Sequence, residues 1–138
     1  MDRKIKVAVI AAGSRAKGVV ANLLHDSKRQ VEIVSVYDPD PAMMEEALAQ
    51  WWNSPNARRA DSPEAAINAP GVEWVMIFSP NAFHKEHILM AFRAGKHVFS
   101  EKPLATTIED CREIYAAHQK SNLIFATGFV LRYAPIYR

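Results

Sequence analysis

Short, unbroken apolar runs alternate along the chain with longer stretches in which apolar residues recur every three or four positions. The first run, Ile5–Ala11 (IKVAVIA), is continuous and β-branched, the pattern of a strand covered on both faces. Gly13 breaks it, and the spacing of Ala16, Val19, Val20, Leu23 and Leu24 predicts a helix. A second strand is predicted over Glu32–Tyr37, stopped by Asp38-Pro39-Asp40-Pro41. Asp40 suits a helix cap and Pro41 a first helical turn, with the helix running through Met44, Ala47 and Leu48 to Trp51 or Trp52. Arg58–Ala60 reads as a brief third strand, and Asp61 followed by Glu64 resembles a capping box at the start of a small helix. Then come a strand over Val72–Phe78 and a helix over Phe83–Ala94, with Ile88, Ala91 and Phe92 on one side. Gly95 stops that helix. A short strand at His97–Phe99, a helix from Thr107 to Lys120 and a last strand at Leu123–Thr127, ending at Gly128, complete the series.

Six alternations of strand and helix predict an α/β domain: a mainly parallel six-stranded sheet with helices on both faces. Residues 1–138 read as one domain, with no repeat and no internal boundary. Composition adds limits. The chain is 49% apolar and 23% charged, an ordinary globular profile. A net charge of +2 with no basic stripe argues against a nucleic-acid partner, and the Lys28-Arg29 and Arg58-Arg59 pairs read as solvated surface. The single cysteine, Cys111, excludes an internal disulfide and a cysteine-based metal site, and reads as a small core residue. No run is long enough to span a membrane, and Val7–Ala12 is too short for a signal peptide; a cytoplasmic protein without a membrane partner is expected. His84 and His87, three apart on a predicted helix, lack further ligands nearby, so no metal is expected. They read as surface or ligand-edge groups. His25 and His118 read as helix-surface residues, and Trp51 and Trp52 as packing at a helix end.

In open parallel sheets ligands bind beyond the carboxyl ends of the strands. The first predicted strand is followed there by Ala11-Ala12-Gly13-Ser14-Arg15-Ala16, the second by Asp38, and the fourth by Ser79-Pro80-Asn81-Ala82-Phe83-His84. The fifth is followed by Ser100-Glu101-Lys102-Pro103 and the sixth by Gly128 to Tyr133. The polar clusters thus share one edge. The first turn fits G-x-G-x-x-G/A with Ala11 in place of the first glycine, Gly13 where the backbone approaches a pyrophosphate, and Ala16 in the third position. Free N–H groups at the following helix start favour an anion. Asp38 stands at the end of the second strand, where a carboxylate accepts from both ribose hydroxyls and repels a 2′-phosphate. That favours NAD over NADP, although Asp38 to Pro41 also suits a bare turn and cap. At the mouth of the fifth strand, Pro103 turns Lys102 away from helical angles, as a charged turn or a site would both require.

Four stretches, VAVIAAGSRAKG, VYDPDP, SPNAFHKEHILMAFRAGKHVFSEKPLATT and TGFVLRYAPIYR, resemble the N-terminal domain of the glucose–fructose oxidoreductase / inositol dehydrogenase (Gfo/Idh/MocA) family. The third stretch is the most specific. The resemblance implies a Rossmann-type, doubly wound fold and an oxidoreductase transferring hydride between NAD and a hydroxyl of a carbohydrate or polyol. It implies that Lys102 is the catalytic residue beside the nicotinamide, that Glu101 counters its charge or holds the ribose, and that Pro103 aims it through a cis bond. Ser14, Arg15, Ser79, Pro80, Asn81, His84 and Arg132 join Ala11, Gly13, Ala16 and Asp38 as expected cofactor contacts. Family members carry a second, α+β domain holding the substrate pocket and the contacts of a homo-oligomer. A truncated chain is therefore expected, binding cofactor but nearly inactive, with Tyr133, Ile136 and Tyr137 left to pack against what is missing. An NAD-dependent glycosidase and a non-catalytic NAD sensor are the alternatives. Ala11 and the Val130-Leu131 pair depart from the family pattern.

Overall fold

A computed structural model describes residues 3–27, 30–51 and 54–137. Lys28, Arg29 and Trp52, and the side chains of Tyr133 and Tyr137, lie outside the described parts. Strands β1 (Ile5–Ile10), β2 (Val31–Tyr37), β3 (Arg58–Arg59), β4 (Trp74–Ile77), β5 (His97–Ser100) and β6 (Phe125–Thr127) form one sheet in the order β3-β2-β1-β4-β5-β6. Every neighbouring pair is parallel. Helices α1 (Ser14–Asp26), α2 (Pro41–Gln50), α3 (Pro63–Ile67), α4 (His84–Arg93) and α5 (Ile108–Gln119) make the crossovers. This is the doubly wound Rossmann topology, with β1 central and the strand order reversing between β1 and β4.

The alternating side chains of β1 divide the core. Val7 and Val9 face α1 and α2, packing with Ala16, Val20, Leu24, Met44 and Trp51. Ala8 and Ile10 face α3, α4 and α5, packing with Ile67, Ile88, Phe92 and Ile114. Each large aliphatic side chain removed from water here contributes about 1.5–3 kcal/mol, which is why β1 is apolar from Val7 to Ile10, where it is buried.

The helix ends follow local chemistry. Asp40 accepts from the Ala42 N–H at 2.9 Å, with Pro41 in the first turn, and Thr107 caps α5 through the Asp110 N–H at 3.1 Å. After α4, Gly95 adopts φ +70°; its N–H reaches Phe92 O and that of Lys96 reaches Ala91 O, both at 3.0 Å, a Schellman closure that glycine favours. The expected cap Asp61 is displaced by Ser62, whose extended backbone and hydroxyl meet the Ala65 N–H at 3.0 Å. β6 is shorter than Leu123–Thr127 because the Ile124 N–H is taken by His97 Nδ1 at 3.0 Å. His118 is not a free surface group: its Nε2 donates to Leu123 O at 2.9 Å, and its ring packs against Phe92 and Phe125. Arg58 and Arg59 are exposed, as expected. Ile136 is 85% exposed.

Candidate cofactor and catalytic site

The turn after β1 is built on an alanine in the left-handed region. Ala11 has φ +70°, the conformation for which a glycine is ordinarily required. Two bonds hold it there: the Ala11 N–H donates to Tyr37 O and the Ala12 N–H to Asp38 Oδ2, both at 2.7 Å. Gly13 then precedes α1, which has neither a side-chain cap nor an acidic residue in its first turn. Helices α2, α3 and α5 are capped by Asp40, Ser62 and Thr107. The first-turn N–H groups of α1 remain available to an anion. A side chain at Gly13 would meet nothing within 4 Å, so the space there is open to a ligand.

Asp38 is 9% exposed. Oδ2 accepts from Ala12, and Oδ1 from the Asp40 N–H at 2.9 Å. A carboxylate has about four acceptor positions; two are used, which leaves a pair suited to vicinal hydroxyls.

At the end of β5, Glu101 is 6% exposed. Arg15, from the first turn of α1, reaches across the sheet edge and places Nε and one terminal nitrogen each 2.8 Å from Glu101 Oε1. The Lys102 N–H donates to Glu101 Oε2 at 3.2 Å. Gly128, beyond β6, makes room for this carboxylate: a Cβ there would lie 3.0 Å from its carbon and both oxygens. The glycine was legible in the sequence only as the end of a strand, and its role comes from what lies beside it. The Lys102–Pro103 bond is cis. Lys102 is exposed and borders a recess with Gly128, Phe129, Leu131 and Arg132.

His84 is 1% exposed and is neither a surface nor an edge group. Its Nδ1 lies 2.6 Å from Pro103 O and its Nε2 2.8 Å from Ser79 O. The ring therefore joins the loop after β4 to the loop after β5. Ser79 is buried as well, with its hydroxyl 2.9 Å from His87 Nδ1. Burial of His87 pushes its pKa below the usual histidine value, with the neighbouring His84 adding to this and Glu86 opposing it. Pro80 and Asn81 are exposed at the rim. Between the ends of β1, β2 and β4 lies a cavity of about 310 Å³, walled by Ala11, Tyr37, Pro39, Pro80 and Phe83 with His87 at its side.

A larger recess of about 700 Å³ opens towards the other edge, near Lys6, Glu32, Asn56 and Arg58. In a parallel αβ fold that edge faces helix carboxyl termini, so it lacks the free N–H groups of the carboxyl edge. Among the described residues no group of three or more His, Cys, Asp or Glu side chains could hold a metal ion. No described helix is long and apolar enough to cross a membrane.

The profile of GFO_IDH_MocA, an oxidoreductase family with an NAD-binding Rossmann fold, matches residues 5–129. The chain is 38% identical over 130 residues to D-glucoside 3-dehydrogenase of Escherichia coli K12, a match covering 94% of this chain and 36% of that protein. It superposes on GenD2 from gentamicin A biosynthesis, solved in complex with NAD, with a TM-score of 0.85 and 26% identity, covering 96% of this chain and 36% of the other. Against scyllo-inositol dehydrogenase from Lactobacillus casei, solved with NAD(H) and scyllo-inositol, the TM-score is 0.83 at 27% identity, covering 99% and 39%. The chain thus spans less than two-fifths of each of these three proteins. With the match running from β1 to the residue after Gly128, this chain belongs to the Gfo/Idh/MocA oxidoreductase family and carries its NAD-binding Rossmann fold.

Proposed function

We propose that this chain binds NAD along the carboxyl edge of its sheet and presents Lys102 to a hydroxyl of a sugar or polyol for hydride transfer. The observation that carries the reading is the gathering, at the β1/β4 switch point and the neighbouring β5 exit, of the uncapped start of α1, the half-used carboxylate of Asp38 and the Glu101-Lys102-Pro103 turn. The pyrophosphate would lie at Gly13, Ser14 and the first N–H groups of α1. Asp38 would take the adenosine ribose. NAD is favoured over NADP because a 2′-phosphate would meet a buried carboxylate, and the nearby cations are engaged elsewhere: Arg15 with Glu101 and Lys17 with Glu46. Ser79, Pro80 and Asn81 would contact the cofactor where it crosses the end of β4, and Arg132 would lie on the substrate side of Lys102.

Bound nicotinamide supplies the acceptor or donor of the hydride. In the oxidation of a hydroxyl the uncharged amine of Lys102 would take the hydroxyl proton as the hydride leaves, and in the reverse reduction the Lys102 ammonium would return that proton to the oxygen on which negative charge develops. Glu101, fixed by Arg15 and cleared by Gly128, holds the backbone N–H of Lys102 in place. Alone, these 138 residues would hold cofactor and turn substrate over slowly, because hydride transfer needs the substrate at near-attack distance.

Calorimetric titration with NAD and with NADP tests the reading. NAD should bind more tightly, and Asp38→Asn should weaken it about tenfold, the scale of one or two charge-assisted bonds, while leaving NADP little changed. Equal NAD affinity in the folded variant would overturn the assignment of Asp38, and no binding of either nucleotide by folded protein would overturn the reading as a whole.

A further inference from the structure

His87 is buried, yet the fold asks little of it. It lies one turn into α4, 7% exposed, with its ring stacked on Phe83 at 6.1 Å and 22°. Nδ1 pairs with the Ser79 hydroxyl at 2.9 Å. For Nε2 no hydrogen-bond partner exists among the described residues, and the ring borders the cavity of about 310 Å³ at the switch point. The remaining walls are mostly apolar: Ile10, Ala11, Pro39, Pro80 and Phe83. This is a slot for a flat, apolar-faced group with one polar edge.

We propose that His87 reads the Watson–Crick edge of the purine at the adenosine end of the bound dinucleotide. The inference rests on the dinucleotide reading above and adds a specificity-determining residue to it. Burial favours the uncharged ring, which carries one N–H and one lone pair. The Ser79 hydroxyl can accept from Nδ1 or donate to it, so Nε2 is free to act in either sense. Adenine offers a donor at N6 beside an acceptor at N1, and one tautomer of His87 answers each. Glu86 also borders the cavity, but it is exposed, so a bond from it to the base would compete with water.

The test compares NAD with nicotinamide 1,N6-ethenoadenine dinucleotide, in which a two-carbon bridge closes off N1 and N6. Affinities are measured by calorimetry for the unmodified chain, His87→Ala, His87→Phe and Glu86→Gln, each checked for folding by circular dichroism. The unmodified chain should prefer NAD about tenfold, the scale of one buried hydrogen bond plus a steric conflict. In His87→Ala the gap should close to about twofold or less. His87→Phe keeps the ring's volume and its stacking on Phe83, and should weaken NAD without a matching loss for the etheno compound. Glu86→Gln should keep the full preference. The proposal is overturned if the unmodified chain shows no preference, if the preference survives in a folded His87 variant, or if Glu86→Gln abolishes it. Failure of the unmodified chain to bind NAD at all is a separate result, and overturns the dinucleotide reading beneath the proposal.

Discussion

The two edges of the sheet are made from the same six strands and handle polar groups in opposite ways. At the amino edge, Arg3 and Glu73 pair in water, with the Arg3 side chain 83% exposed. Such a pair contributes between about nothing and 1 kcal/mol. At the carboxyl edge each polar contact has a buried partner: Ala12 reaches Asp38, Arg15 reaches Glu101 across 86 residues, and His84 reaches both Ser79 on its own loop and Pro103 on the next. Buried polar groups are costly unless each finds its partner, and every fully buried side-chain nitrogen and oxygen among the described residues has one; Nε2 of His87, beside the cavity, is not in that fully buried set. Helix α1 begins at this edge without a cap, whereas α2 and α5 are capped by their own side chains. Stability is gathered around the site while donors are left open within it.

The largest expected effect sharpens that contrast. His84→Ala should lower stability by about 2–4 kcal/mol, through a cavity and the loss of the ring that bridges two backbone carbonyls. Arg3→Ala at the other edge should cost under about 0.5 kcal/mol. Urea denaturation of the two variants measures both, and similar losses would erase the distinction between the edges. Next is Ala11→Gly. It relieves a left-handed alanine and returns part of the gain as glycine's chain entropy, for a net rise of about 0.5–1 kcal/mol, read as a higher Tm. A fall in Tm would mean that the Tyr37 and Asp38 bonds impose no strain at Ala11. The smallest effect on stability is the most telling for the site. Gly13→Ser gives α1 the cap it lacks, adding a few tenths of a kcal/mol. The same hydroxyl occupies the N–H groups that an anion would use, so NAD affinity should fall as thermal stability rises. A variant that gained in both would show that the open start of α1 is not where the pyrophosphate lies.

Much of this was legible in the chain because it depends on neighbours in sequence. The unbroken run of β1, the cap at Asp40, the stop at Gly95 and the brief β3 all follow from local pattern, and the parallel order follows from their alternation. The departure at Ala11 could be read as well, since the motif demands a conformation that alanine resists. What could not be read are contacts that close only in three dimensions. Arg15 and Glu101 lie 86 residues apart. The clearance that Gly128 gives Glu101 has no trace in the spacing of either. His84 was expected near ligand or surface because its helix begins at the ligand edge, but its two partners are backbone carbonyls on different loops, and backbone carries no residue-type pattern. His118 was misjudged for the same reason: its acceptor is the carbonyl of Leu123, in the loop that follows its helix.

The ring of His84 also has a mechanical meaning. Two loops that leave neighbouring strands would ordinarily swing as separate flaps, each on its own hinge. Bridged by one rigid imidazole with only two rotatable bonds, the Ser79 loop and the Lys102–Pro103 loop would be expected to move together. Because the Ser79 hydroxyl also pairs with His87, a displacement at the proposed base would be passed through Ser79 and His84 towards the backbone that bears Lys102, coupling the two ends of the cleft.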